Sequence, residues 1–349
     1  MHVVVASMRT AQLCETGATV RTRRIAEGLA GRGHEVTVLC AQWWEGDHDR
    51  FDHAGVTYRR LVRSPAAGTF AARLPAALAD LGADVVHAAA SPTAAVRTAG
   101  LATRALGVPL VVDWWADHPA DTDAGRRGAA RAPDAVLVPS GLVATRVREH
   151  GASAEQVAVV PESIDWDFVR EAPVDRRADV VYARRLDADA NVESFLLALA
   201  ELRDREWRAV VAGDGPARGA AEQAAADLRI DDRVTFLGDL PLSDLVPILK
   251  GARVFAQTAT REPFATELLW ALACGCVGVV EYQAGSSAHE LVEGHDRGAR
   301  VTSPEEFADE IAEAAELDHL TVDDAFAEYD HDAVLARYEE QYRRVLGSR

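Results

Sequence analysis

The chain has 349 residues, 48% of them hydrophobic, which exceeds the length over which one core keeps growing and predicts two domains. Its net charge of −18 is carried unevenly: residues 1–165 hold 17 Lys and Arg against 18 Asp and Glu, residues 166–349 hold 20 against 37. That carboxylate excess disfavours a nucleic-acid partner for the C-terminal half, and the lack of any apolar run of about 18 residues argues against a membrane-spanning helix.

Four cysteines, Cys14, Cys40, Cys274 and Cys276, offer only one C-x-C and fit reduced structural thiols better than a zinc site. Lys250 is the only lysine. A carboxylate-rich, lysine-poor surface suits a salt-adapted organism, because salt screens self-repulsion. A GC-rich genome favouring arginine codons gives the same Lys/Arg ratio.

HVVVAS (2–7) predicts a first strand rather than a signal peptide, and a cytoplasmic protein is expected. The turn after it holds Thr16-Gly17-Ala18-Thr19, whose glycine would let a ligand approach a helix N-terminus, or simply make a tight turn. It is not G-x-G-x-x-G. Cys40, not an acidic residue, ends the next strand, EVTVLC (35–40), so a dinucleotide site is disfavoured.

Strands follow at DVVH (84–87), PLVVDW (109–114), AVLVP (135–139) and VAVVP (157–161), separated by helix-length segments in the pattern of parallel α/β layers. The charged, aperiodic stretch 162–179 reads as a linker. Strands resume at DVVYA (179–183), RAVVAG (208–213), RVTFLG (233–238), RVFAQ (253–257) and VGVVEY (277–282), a second doubly wound domain.

Gly213-Asp214-Gly215-Pro216 follows the second of these strands, and its amides could face a phosphate, although Asp-Gly is also an ordinary turn pair. In TREPFATELLWALACG (260–275), Pro263 suits the first helical position, Glu262 the N-cap and Gly275 the C′ position, predicting a helix over 263–274. Glu262 would then either accept hydrogen bonds from sugar hydroxyls or merely cap the helix. Val334, Leu335, Tyr338, Tyr342 and Leu346 recur at helical spacing, a terminal amphipathic helix that needs a docking surface.

Taken in order, Gly17, GRGHEVTVL (31–39), ADVVHA (83–88), GDGP (213–216), RVTFLG (233–238), REPF (261–264) with ALACG (271–275), and HELVEG (289–294) resemble the family 4 glycosyltransferases of the GT-B fold over nearly the whole chain. The resemblance implies an α/β protein of two Rossmann-like doubly wound parallel-sheet domains with an interdomain cleft. Residues 1–165 would bind the acceptor and 166–325 the nucleotide sugar, and a terminal helix, 326–349, would cross back to the first domain. It implies a retaining, metal-independent hexosyltransferase with no cofactor. The donor would be a UDP-, GDP- or ADP-sugar and the acceptor a glycan, glycolipid or polyprenyl phosphate. The N-terminal domain is the candidate for contact with the inner membrane surface.

By the same resemblance the catalytic residues would be Glu262, Arg185, His118 and Asp113. Glu262 would meet the sugar hydroxyls, Phe264 and Ala265 the sugar or diphosphate through their amides, and Leu237 and Gly238 the base. Arg185, with Arg184, would bind the diphosphate. Gly17, Gly213, Asp214 and Gly215 complete the donor-binding set.

Three departures stand out. The family's Gly-Arg-Leu reads Arg184-Arg185-Leu186, and its phosphate-binding lysine falls on Ala190. Its ribose-binding glutamate falls on Trp270, with Glu267 three residues earlier as a substitute. Its N-terminal histidine falls on Trp115, with Asp113, Asp117 and His118 as neighbours. Trp114 and Trp115 could stack on a sugar or lie on lipid, or serve the core and the domain interface. Arg21, Arg23, Arg24, Arg59, Arg60 and Arg63 could hold an anionic acceptor or be solvated. A degenerate paralogue that binds without turnover and an oxidoreductase are the competing functions.

Overall fold

The β-branched runs become strands of two separate sheets. In the computed structural model, which describes residues 1–347, unit 1 comprises Met1–Glu162 and the segment from His331, and unit 2 comprises Ser163–Asp330.

Unit 1 contains β1 (His2–Ala6), α1 (Gly17–Gly31), β2 (Glu35–Ala41), β3 (Arg50–His53), β4 (Val56–Val62), α2 (Ala67–Leu81), β5 (Val85–Ala89), α3 (Thr93–Leu106), β6 (Leu110–Asp113), α4 (Asp123–Arg131), β7 (Ala135–Val138), α5 (Gly141–Glu149) and β8 (Val157–Val159). The sheet order is β3-β4-β2-β1-β5-β6-β7-β8, parallel except for β3 against β4. Strand alternation splits the core between the two faces. Val4, Ala6, Val86 and Val112 pack with Phe70 and Leu74 of α2, while Val3, Val5, Val85 and Val111 pack with Ile25 and Leu29 of α1. Each buried Val, Ile, Leu or Phe among these contributes roughly 1.5–3 kcal/mol.

Unit 2 contains α6 (Trp166–Glu171), β9 (Val180–Ala183), α7 (Val192–Glu201), β10 (Ala209–Ala212), α8 (Arg218–Asp227), β11 (Val234–Gly238), α9 (Leu242–Gly251), β12 (Val254–Gln257), β13 (Arg261–Glu262), α10 (Thr266–Ala273), β14 (Val277–Glu281), β15 (Gly285–Ser286), α11 (His289–Val292), β16 (Gly298–Val301), α12 (Pro304–Ala314) and a 3-10 turn, Asp324–Tyr329. The main sheet runs β11-β10-β9-β12-β14-β16, all parallel, and β13 pairs with β15. The last helix, α13 (His331–Gly347), packs on α1 of unit 1. There a Cβ on Gly28 would stand 2.8 Å from a Leu335 methyl, so the glycine permits the approach.

Three features differ from the sequence expectation. The hairpin β3–β4 turns through Ala54 and Gly55, both at positive φ, and supplies a strand and an edge that the polar run YRR concealed. Strand β16 is likewise additional. The stretch expected to be a linker is ordered: Asp165 caps α6, accepting the Phe168 N–H at 2.8 Å. The buried ammonium of Lys250 closes the other end of α6, donating to the carbonyls of Val169 and Ala172 at 2.7 Å and of Arg170 at 3.2 Å. No helix among the described residues is long and apolar enough to cross a membrane.

Candidate functional site

In unit 2, β9 is flanked by β10 and β12, so the winding reverses between β9 and β12. Ligands of parallel sheets bind at the carboxyl ends of the strands at such a point. There β9 delivers Arg184, and the chain leaving β12 reaches Glu262 in β13. Arg184 Nη1 lies 3.5 Å from Glu262 Oε2, with the two side chains only 11% and 18% exposed. Asp187 Oδ1 and the carbonyls of Arg185 and Asp189 hold the same guanidinium at 3.3, 3.1 and 3.4 Å. Arg185, beside it, is exposed.

Burial pushes the Glu262 carboxyl up to about 8; the charge of Glu267 adds to this, Arg184 opposes it, and Asp187 and Asp189 raise it further. Burial also raises Glu267, in the first turn of α10. One guanidinium therefore balances a group of four carboxyls.

Glu262 does not cap α10, contrary to the sequence reading. It belongs to β13, where its carbonyl accepts the Ser287 N–H at 2.9 Å, and the helix starts at Thr266 without a side-chain cap. The displaced start leaves Phe264 and Ala265 ahead of the helix, buried, with N–H groups that have no acceptor among the described residues.

The Gly213-Asp214-Gly215 turn is spent internally. A Cβ on Gly213 would lie 1.9 Å from the Arg184 carbonyl oxygen, and one on Gly215 2.2 Å from that of Leu186, so both glycines exist for backbone contact with the Arg184–Leu186 segment. The Gly213 N–H donates to Gly238 O at 2.7 Å, that of Asp214 to Asp239 Oδ1 at 2.8 Å, and that of Gly215 to Asp214 Oδ1 at 2.6 Å. The expectation that these amides face a phosphate is corrected: the turn positions Arg184 instead. Leu237 is half-buried and Gly238 buried at the end of β11.

Trp270 is 2% exposed and packs edge-on against Phe168, ring centroids 6.3 Å apart, so it is a core residue with no face for a ribose. Ala190 is fully buried, its carbonyl accepting the hydroxyls of Tyr182 at 2.7 Å and Thr258 at 3.1 Å.

In unit 1 the corresponding reversal lies between β1 and β5. A cavity of about 410 Å³ opens there, lined from the β1–α1 turn, the start of α3 and the segment 113–121. Trp115 and His118 both line it, half-buried. Gly17 is required by Trp115, whose ring would lie 2.6 Å from a Cβ at that position. His118 Nδ1 accepts the Ala120 N–H at 3.2 Å.

Asp113 is not a free catalytic carboxylate. Arg21 Nε reaches its two oxygens at 3.2 and 3.1 Å, and the Tyr338 hydroxyl of α13 donates to Oδ2 at 2.8 Å. Arg21 also donates to the carbonyls of Pro161 and Val160 at 2.9 and 2.6 Å. Close by, the Tyr342 hydroxyl meets His87 Nδ1 at 2.8 Å, and burial holds that imidazole below its ordinary range. Sequence reading missed this network, although Arg21 shares the helical face of Ile25 and Leu29, a signal that it points inward.

Most of the clustered arginines have carboxylate partners or are buried. Arg21 is buried, Arg24 pairs with Glu162, Arg59 with Asp80, Arg60 with Asp47 and Asp49, and Arg63 with Asp47. Trp114 is core, its indole N–H donating to Asp117 Oδ1 at 3.1 Å.

Residues 16–162 match the family described as "Glycosyl transferase 4-like domain" and residues 165–329 that described as "Glycosyl transferases group 1". The fold is that of the Anabaena protein HepE in complex with UDP, TM-score 0.78 at 18% identity, covering 99% of this chain and 100% of that one. D-inositol 3-phosphate glycosyltransferase of Mycolicibacterium smegmatis is 27% identical across 97% of this chain and 90% of its own length. The 2-deoxystreptamine glucosyltransferase of Streptomyces kanamyceticus is 25% identical, and the chain spans only 45% of that relative.

Two doubly wound α/β units of this kind are the GT-B fold. The chain belongs to the family 4 glycosyltransferases of that fold.

Proposed function

We propose that the protein is a retaining hexosyltransferase that needs no metal ion, binds a nucleotide-diphosphate sugar in unit 2 and binds the acceptor in unit 1. The observation that carries this reading is the Arg184–Glu262 pair at the winding reversal of the unit 2 sheet. Glu262 accepts hydrogen bonds from the sugar hydroxyls. Arg184, with the exposed Arg185, faces the diphosphate and stabilises the charge that grows on it as the glycosidic bond breaks. The N–H groups of Phe264 and Ala265, without an acceptor among the described residues, supply further donors, and Leu237 and Gly238 border the base. The acceptor hydroxyl bonds the anomeric carbon on the face the diphosphate leaves, its proton passing to the departing diphosphate oxygen as the sugar–phosphate bond breaks, which is what retention requires.

Support for a nucleotide-sugar donor comes from HepE, solved with UDP, and support for glycosyl transfer from the relatives named 2-deoxystreptamine glucosyltransferase and D-inositol 3-phosphate glycosyltransferase. Arg184 takes the place of the cation lost at Ala190, because a guanidinium can grip a phosphate through two N–H groups. A cytoplasmic location, where such donors would be encountered, completes the proposal.

A thermal-shift screen against UDP-, GDP- and ADP-sugars tests the reading. One of them should raise the melting temperature and be turned over, releasing the nucleotide diphosphate, and Glu262→Ala should abolish turnover. No shift with any donor would point to the paralogue that binds without turnover.

A further inference from the structure

The unit 1 cavity carries information about its occupant, and the inference drawn from it rests on the transferase reading above. Two of the three carboxylates in its wall are already committed: Asp113 to Arg21 and Tyr338, and Asp117 to Trp114 and to His150 Nε2 at 2.8 Å. Asp121 differs. Its Oδ1 accepts the N–H and the hydroxyl of Thr93 at 3.0 and 2.8 Å, which fixes the side chain, while Oδ2 has no hydrogen-bond or ion-pair partner among the described residues.

The cations nearby are placed differently. Arg21 lies beneath Asp113, and Arg126 stands 3.8 Å from Asp117 and pairs with Asp123 at 2.6 Å. Arg9, the one arginine of the lining, is exposed. The N-terminus of α1 also borders the cavity, but Thr16 already takes the Thr19 N–H and Trp115 packs on Gly17. A phosphorylated ligand is held best by a desolvated guanidinium fork, and among the described residues the half-buried wall presents none. An ammonium would find Asp121 Oδ2, and a hydroxylated ring would find the Trp115 indole for its apolar face and the threonine hydroxyls for its edge.

We propose that the acceptor bound in this cavity is a hydroxylated ring bearing an amine, and that Asp121 selects it over a phosphorylated ring. The volume, about 410 Å³, suits a molecule of one or two rings.

The test holds the ring constant and changes only its charge. Glucosamine, glucose and glucose 6-phosphate are titrated into the full-length protein, with and without UDP, by calorimetry or ligand-observed NMR. Glucosamine should bind about tenfold tighter than glucose and glucose 6-phosphate weakest of the three. Asp121→Asn, which keeps the Oδ1 bonds to Thr93, should erase the amine advantage without changing glucose affinity or melting temperature. Trp115→Ala should weaken all three. Glucose 6-phosphate binding as well as glucosamine, an amine preference that survives Asp121→Asn, or no binding by any of the three would overturn the inference. Failure of the wild-type protein to bind any nucleotide sugar would instead sink the transferase reading, and the ring titrations would still measure the cavity's preference directly.

Discussion

Arg184 Nη1 stands 3.5 Å from Glu262 Oε2, a single guanidinium set against Glu262, Glu267, Asp187 and Asp189 where the unit 2 sheet reverses its winding. In the family pattern that arginine's position is a glycine. On the proposed reading, the pair joins a cation for the diphosphate to a carboxylate for the sugar.

The two adjacent arginines should be unequal. On the proposed reading, removing Arg184 costs both a diphosphate contact and the partner of Glu262, so Arg184→Gln should weaken nucleotide-sugar binding by about 10–100-fold. Arg185→Gln, removing an exposed side chain, should cost less. Calorimetric titration of both variants decides this, and equal losses would contradict the division of roles.

Glu262 should make the protein less stable as pH rises. Its carboxyl is raised to about 8 by burial and then by Glu267, so the folded state holds a proton that the unfolded chain releases near pH 4.5. Its contribution is fully present below about pH 4.5 and is lost as pH rises through 8. Glu262→Gln, which cannot ionise, should match the wild type near pH 4 and melt several degrees higher at pH 9. Melting curves from pH 4 to 9 that stay parallel would refute this.

Lys250 should be a stability residue. Its ammonium satisfies three carbonyls at the end of α6 from inside the core. Lys250→Met keeps the stem but leaves those oxygens buried without a donor, at about 2–4 kcal/mol. Urea denaturation measures the loss. A variant within about 0.5 kcal/mol of the wild type would show that water replaces the ammonium.

Restoring the family's glutamate should fail. Trp270→Glu would place a carboxylate against Phe168 in the core, costing about 3 kcal/mol or more through the lost ring and the buried charge. Donor affinity should not rise; a gain would mean that the side chain reaches the ribose.

Most of the parallel strands were legible because near-continuous runs of valine and alanine leave few alternatives to a buried parallel strand, whereas the strand order, and with it each winding reversal, depends on contacts between distant segments. Glu262 was legible through its REPF setting, but its local structure was not. Pro263 suits a helix start as readily as an extended entry, and the pairing of β13 with β15 that decides the matter spans 24 residues. Asp214 illustrates the opposite error, since a Gly-Asp-Gly turn looks like a phosphate loop until the Arg184 and Leu186 carbonyls are seen to fill its concave side. Arg21 and Asp113 could not be paired from sequence because their partners, Tyr338 and the Pro161 carbonyl, come from distant segments.

The most direct test of the central claim compares the wild type with Glu262→Gln at pH 9, where the carboxylate is ionised, titrating each with the nucleotide sugar that stabilises it and with the corresponding nucleotide diphosphate. The variant should bind the nucleotide sugar at least tenfold more weakly and the diphosphate no more weakly, because Glu262 is assigned to the sugar and its neutralisation only relieves Arg184 of an anionic partner. Equal affinity of both proteins for the nucleotide sugar would contradict the claim.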